Sequence, residues 1–170
     1  IHDSLYHQFA EEFAARSARL KTGDPFDENT FYGPLVNKQG LEKVEKYNHT
    51  VFNDAKADVL LAGCKIENDG LFISPTVYKT KWRDAPYLKN EVFGPHVAII
   101  PYSRVQEAID IYNDTDYGLS LGVVTENFKV ARLIRNRCDF GLGYWNGGSI
   151  AAESHLGFGG VKKSGNGQPS

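Results

Sequence analysis

The chain has 170 residues, 41% of them hydrophobic and 24% charged, with a formal net charge of -2. That length suffices for one globular domain burying about 70% of its unfolded surface, and the near-balanced charge with no basic run excludes a general attraction to nucleic acid or anionic membranes. No apolar stretch approaches the ~20 residues of a membrane span, and no basic segment followed by an apolar one opens the chain, so a soluble, intracellular, cytoplasmic protein is expected. Cys64 and Cys138 stand far apart with no second cysteine or histidine at zinc-like spacing. No metal site is therefore predicted, and both thiols are expected to be reduced. The chain contains no methionine and begins at Ile1 in what reads as running text, as a piece of a longer protein would.

In chain order, Asp3 or Ser4 can cap a first helix whose apolar positions Leu5, Phe9, Phe13, Ala14 and Leu20 recur at helical spacing, giving a helix to about residue 21. Thr22-Gly23-Asp24-Pro25 ends it, since glycine suits a left-handed cap and proline cannot continue the ladder. A second helix is predicted from near Asn37 to before Ala57, with Leu41, Val44, Val51 and Phe52 on its apolar face. Val59-Leu60-Leu61-Ala62 and Leu71-Phe72-Ile73, the latter after the turn signal Asn68-Asp69-Gly70, read as a pair of neighbouring strands. Pro75 places the second at an edge or an end.

Val97-Ala98-Ile99-Ile100 is short, apolar and rich in branched residues, which predicts a fully buried strand. Ser103 caps a helix carrying Val105, Ala108, Ile109 and Tyr112, and the cluster from Asn113 to Gly118 stops it. Residues 119–125 form the next buried strand, 127–138 a helix with a basic outer face, and 141–146 a last strand. The alternation from Val97 to Trp145 predicts an α/β fold, a three-layer α/β/α domain with a mostly parallel sheet. Ligands in such sheets gather at the carboxyl ends of strands, where Asn146 and the glycine-rich tail from Gly157 to Gly167 emerge.

Two stretches are candidates for chemistry. Lys89-Asn90-Glu91-Val92-Phe93-Gly94-Pro95 sets a carboxylate and an aromatic ring two residues apart before a stiffening Gly-Pro. Glu91 and Phe93 are then either an outward-facing functional pair or a solvated turn residue and a core plug. The tail does not fit a phosphate loop, because Lys162 stands at the second required glycine, and a dinucleotide fingerprint from Gly157 meets the same lysine. Gly141-Leu142-Gly143 has Asn146 where the third glycine belongs.

Several segments agree in order with one family. Leu20-Lys21-Thr22-Gly23-Asp24-Pro25, Gly33-Pro34-Leu35-Val36, Ser74-Pro75-Thr76-Val77, Glu91-Val92-Phe93-Gly94-Pro95, Asn113 with Tyr117-Gly118-Leu119, Asn146, and Phe158-Gly159-Gly160 with Lys162, Ser164 and Gly165 together resemble the catalytic domain of the NAD(P)-dependent aldehyde dehydrogenase superfamily. The match spans nearly the whole chain. The resemblance implies that Glu91 accepts hydrogen bonds from the nicotinamide-ribose hydroxyls and that Phe93 packs against that end of the cofactor. It also implies that Asn146 and Phe158 lie near the aldehyde pocket, whose entrance the loop 147–156 lines. His155 is either a contact for a polar substrate or a surface residue, and Phe158 can equally be a packing aromatic.

In the family a cysteine thiolate attacks the aldehyde, hydride passes to NAD(P)+, and a glutamate-activated water hydrolyses the thioester. The resemblance implies that residues 1–170 are part of such a domain. The nucleophilic cysteine and general-base glutamate are expected upstream of Ile1, and the nucleotide-binding domain that mainly binds NAD or NADP, as well as the oligomerisation segment, also lie outside this chain. The parent is expected to be a homodimer or homotetramer acting on an aldehyde. Asn90 stands where the family commonly carries glutamate, His96 where valine is usual, and Gly157 where proline precedes the aromatic. Two other functions remain open: a structural or regulatory domain that keeps the fold, and a small nucleotide-binding module using the tail.

Overall fold

The computed structural model describes residues 1–66, 70–151, 155 and 157–165, and the chain divides into two compact units, Ile1–Pro101 and Tyr102–Ser170. The first predicted helix is present but shorter than expected. A 3-10 turn at Asp3–Leu5 is capped by His2, and α1 runs Tyr6–Ser17. Its buried face is Ala10, Ala14 and Ser17 rather than the large residues, with Leu5 58% and Phe9 39% exposed. Small side chains let the helix lie close to a sheet, and Ala10 and Ala14 pack with Val77 and Ile99.

The second helix, α2, spans Lys38–Phe52, and Asn37 caps it by accepting from the Gly40 N–H at 2.7 Å. Capping is local chemistry, and it falls where the sequence predicts. Leu41, Val44, Asn48 and Val51 form the buried face. Phe52, predicted on that face, is 42% exposed, because one residue turns a helix by about 100°.

The first unit holds a three-stranded sheet of β1 (Asp58–Leu61), β2 (Thr76–Lys79) and β3 (His96–Ile99), with β2 antiparallel to β1 and parallel to β3. This corrects the predicted pairing of 59–62 with 71–73. Ile73 makes a single bridge to Lys65, and the partner of β1 begins just after Pro75, which ends the earlier stretch because it has no N–H to donate. The predicted turn residues Asn68 and Asp69 lie outside the described residues. Thr76, Val77 and Tyr78 of the central strand are buried. In β3 only Ile99 is buried, so the expectation of a fully buried strand does not hold for this edge position. A short helix that periodicity cannot detect, α3 (Pro86–Lys89), starts with proline in its first turn. Nearby, Asp54 accepts from the Lys56 N–H, Tyr87 and Arg83, which lower its carboxyl to about 2.

The second unit contains α4 (Val105–Asn113), β4 (Tyr117–Gly118), β5 (Ser120–Val123), α5 (Phe128–Arg137), β6 (Leu142–Trp145) and β7 (Val161–Lys162). Arg104, not Ser103, is the N-cap of α4, and the Glu107 carboxylate reaches back to accept from the Ser103 N–H at 2.9 Å. Asn127 caps α5 through the N–H groups of Lys129 and Val130. The parallel pair β5–β6 flanks α5 as predicted. Within this unit β4 pairs with β7 in antiparallel fashion. Among the described residues the strand pairing is mixed, two pairs parallel and two antiparallel, within an α/β architecture. Residues 119–125 are also less buried than expected, with Leu119 41% and Val124 85% exposed.

Candidate functional site

In the first unit, the stretch 91–96 rests on α2 through alternate residues. Val92 is buried in a cluster with Leu41, Val44 and Ile73. Gly94 lies so close to α2 that a Cβ built on it would sit 2.5 Å from Val44 Cγ2. His96 faces Asn48, with Nδ1 3.0 Å from Oδ1. Positions 41, 44 and 48 lie on one helical face, and Val92, Gly94 and His96 each contact it from a loop that turns at Phe93. Glu91 and Phe93 are left facing solvent.

Glu91 is exposed and Phe93 is 72% exposed. Phe93 has φ 62°, the left-handed region that a bulky residue seldom occupies. The loop's far end is held by Thr76 N–H donating to Pro95 O and His96 N–H donating to Gly94 O, both at 2.8 Å. Beside the pair lies a cavity of about 380 Å³ lined by aromatic rings of Tyr78, Trp82, Tyr87 and Phe93 together with Asn90, Glu91 and His96. Phe93 is thus exposed and no core plug.

In the second unit, β5 and β6 end at Val123 and Trp145, and an open depression of about 560 Å³ follows, lined by Val124, Thr125, Glu126, Asn146, Gly147 and Gly148. It sits at the carboxyl ends of parallel strands, where a ligand was anticipated. Asn146 has φ 54°, and both ends of its amide are engaged: Oδ1 accepts from Thr125 N–H at 2.8 Å and Nδ2 donates to Thr125 O at 3.0 Å. The side chain therefore braces the rim. Phe158 is 49% exposed, and His155 is exposed in a turn. Of the predicted entrance loop 147–156, residues 152–154 and 156 lie outside the described residues, as do 166 and 167 of the tail.

The glycine-rich tail has a structural task. Gly141 packs directly on the Gly159 carbonyl, leaving no room for a Cβ. Lys162, at φ 54°, donates to Asn113 O at 2.9 Å and Thr115 O at 3.0 Å and pairs with Asp139 at 3.2 Å. It thereby satisfies the Asn113 carbonyl at the end of α4 and the Thr115 carbonyl in the turn beyond it. Asn113 completes the corner, donating to Arg137 O and accepting from Asp139 N–H.

The cysteines differ in setting. Cys64 is exposed, and its N–H donates to Ser74 Oγ. Burial, then the charge of Asp139, pushes the Cys138 thiol up to about 11, so it carries little thiolate. Residue periodicity alone did not single out Asn48 and Tyr78, which bracket His96. The available signal was an asparagine at a core position of the stripe Leu41, Val44 and Val51.

The sequence profile of the aldehyde dehydrogenase family matches residues 1–170. The 3-sulfolactaldehyde dehydrogenase of Priestia aryabhattai is 33% identical over 168 residues, which cover 99% of this chain and 34% of that protein. Among solved structures, an aldehyde dehydrogenase from Bacillus cereus superposes with a TM-score of 0.91 at 30% identity over 99% of this chain and 34% of its own. A betaine aldehyde dehydrogenase from Staphylococcus aureus, in complex with NAD+, has a TM-score of 0.87 at 27% identity over 99% of this chain and 34% of its own. The chain thus spans about a third of the length of these relatives. Matched along its whole length in both sequence and fold, the chain belongs to the aldehyde dehydrogenase family.

Proposed function

We propose that this chain is the part of an NAD(P)+-dependent aldehyde dehydrogenase that forms the nicotinamide-ribose wall and one side of the substrate pocket. The observation that carries this reading is the outward presentation of Glu91 and Phe93 from a loop seated on α2, with Phe93 in a strained left-handed conformation. Strain of that kind is kept where surrounding packing holds it for a purpose. The residues fit the cofactor's chemistry: an exposed carboxylate accepts from vicinal ribose hydroxyls, and an exposed ring supplies a flat apolar face.

When bound, the nicotinamide ring supplies the hydride acceptor for aldehyde oxidation. Glu91 fixes the ribose and Phe93 limits the ring's travel, so this loop acts by positioning, which can contribute several kcal/mol when atoms must meet within ~3 to 3.5 Å. Asn146 shapes the pocket rim through its clamp on Thr125, while Phe158 and His155 stand on the substrate side. The attacking thiolate and the general base belong, in this reading, to parts of the protein outside this chain: burial keeps the proton on Cys138, and Cys64 lies in the loop after β1 with its N–H donating to Ser74 Oγ. A cytoplasmic homo-oligomer completes the reading.

A chimera of the Priestia aryabhattai 3-sulfolactaldehyde dehydrogenase carrying this chain in place of its matching third tests the proposal. Glu91→Gln should cut turnover at saturating cofactor about tenfold or more with the melting temperature unchanged. Unchanged turnover refutes the role of Glu91. Calorimetry of the 170-residue chain with NAD+ should show no micromolar binding; micromolar affinity would favour a self-sufficient nucleotide module.

A further inference from the structure

His96 does more than follow the loop. It sits between two elements: Nδ1 lies 3.0 Å from Asn48 Oδ1 on α2, and Nε2 lies 3.1 Å from the Tyr78 hydroxyl on β2. Asn48 is 3% exposed and Tyr78 is 0% exposed. Asn48 Nδ2 donates to Gly63 O at 3.4 Å, which leaves Oδ1 to face the imidazole. Nδ1 must then be the protonated nitrogen, and Nε2 accepts from Tyr78. Each of the three side chains has a partner of the correct polarity, so the set is satisfied with a neutral ring and no mobile proton.

We propose that His96 is a positioning residue that, as the neutral Nδ1–H tautomer, locks the Glu91-Phe93 loop to α2 and β2 and so holds both side chains at the angle the cofactor requires. The lock rests on the cofactor-wall reading for its purpose but not for its geometry. It acts at the loop's exit, where the His96 N–H also donates to Gly94 O. Residues 91–94 lead directly into this anchor, so freeing His96 frees the backbone that carries both side chains.

The groups facing the ring are Asn48 from α2 and Tyr78 from β2. Tyr87 of α3 stands with its ring 5.5 Å from that of Tyr78 and carries Arg83 against its hydroxyl, and Glu91 lines the same cavity. Protonation would place a second N–H against Tyr78, whose hydroxyl would have to stop donating and turn to accept. Burial disfavours that state and pushes the imidazole down to about 4. The lock is therefore closed near neutral pH and opens in acid.

The test uses the 170-residue chain. Nitrogen-15 NMR of the imidazole should show the Nδ1–H tautomer, still neutral at pH 5.5. Asn48→Asp, which sets a carboxylate beside the ring, should raise the imidazole's titration midpoint by more than about one unit. Amide exchange protection over residues 91–94 should fall about tenfold in His96→Ala at pH 7 while β2 amides hold, and His96→Gln, which keeps a neutral donor and acceptor, should restore part of it. Wild-type loop protection should fall likewise as pH drops toward 4, and His96→Gln should abolish that pH dependence. A ring titrating near 6.5, or loop protection indifferent to His96→Ala and to pH, overturns the proposal. If His96→Ala unfolds the chain, the Asn48→Asp shift and the His96→Gln profile decide the matter. In the chimera, His96→Gln should lower kcat at saturating NAD+ and raise the KM for NAD+. Loop release with neither constant changed would leave the lock standing and overturn the cofactor-wall reading.

Discussion

Substituting Gly94 by alanine puts the seating of the loop to a quantitative test. The new Cβ would stand 2.5 Å from Val44 Cγ2 and 3.4 Å from Cγ1, whereas comfortable carbon–carbon contacts lie at about 3.5 to 4.0 Å. Val44 cannot yield by rotation, because it is β-branched, helical and 0% exposed. No left-handed φ is involved at Gly94, so the cost is steric alone, about 1 to 3 kcal/mol for overpacking. Val44→Ala by itself removes two buried methyl groups, about 1.6 kcal/mol of transfer energy plus a cavity contribution, for a total near 2 to 3 kcal/mol. In the double variant the alanine methyl at 94 enters the space that Val44 vacates. Its stability should lie near that of Val44→Ala alone, a coupling of about 1 to 3 kcal/mol rather than additivity. Urea denaturation, followed by Trp82 fluorescence in a Trp145→Phe background, reads the first unit. A loss of 2 kcal/mol moves the midpoint by roughly 1 M. A neutral Gly94→Ala, or strict additivity with Val44→Ala, would refute the claim that α2 dictates where the loop sits.

Other consequences are equally measurable. Asn37→Ala should cost about 1 kcal/mol by removing the cap on α2, and Asn37→Asp should keep most of it, as judged by thermal melts followed by circular dichroism. Because the folded His96 lies below its unfolded value of 6.5, the unfolded state binds the extra proton. Its contribution is therefore complete above pH 6.5 and is lost as pH falls toward about 4; allowing for residual solvent contact, the loss is on the order of 2 kcal/mol, and His96→Gln should flatten that slope. With its thiol near 11, folded Cys138 in a Cys64→Ser background should alkylate at pH 8 at least about tenfold more slowly than in urea, measured by mass spectrometry. Lys162→Met should destabilise the second unit by roughly 1 to 2 kcal/mol through the opened Asn113 and Thr115 carbonyls, seen by Trp145 fluorescence in a Trp82→Phe background.

What was legible in the sequence was local or already paired by pattern. Asn37 and Asn127 announce helix starts because a cap joins residues two or three apart, and β5–α5–β6 follows from the change of hydrophobic period. The strand partner of β1 was not legible from pattern. Leu71-Phe72-Ile73 is as apolar as Thr76-Val77-Tyr78, and the choice turns on Pro75 and on β3 arriving from twenty residues later to pair in parallel.

The candidate site shows the same limit from the other side. Glu91 and Phe93 read locally as a turn and a plug with as much right as a functional pair, because an apolar residue two positions from a carboxylate has no preferred side in an unsupported loop. The choice is made by Leu41, Val44 and Asn48, about fifty residues earlier, which take up residues 92, 94 and 96 and so turn 91 and 93 outward. Asn48 was the one visible trace of this arrangement, a polar residue on an otherwise apolar helical face. A buried amide must find partners, and here it finds a histidine that ends the loop and a glycine carbonyl, Gly63 O. Glu91 and Phe93 reach outward because a polar contact three turns along α2 and a missing Cβ at Gly94 leave them no inward position to occupy.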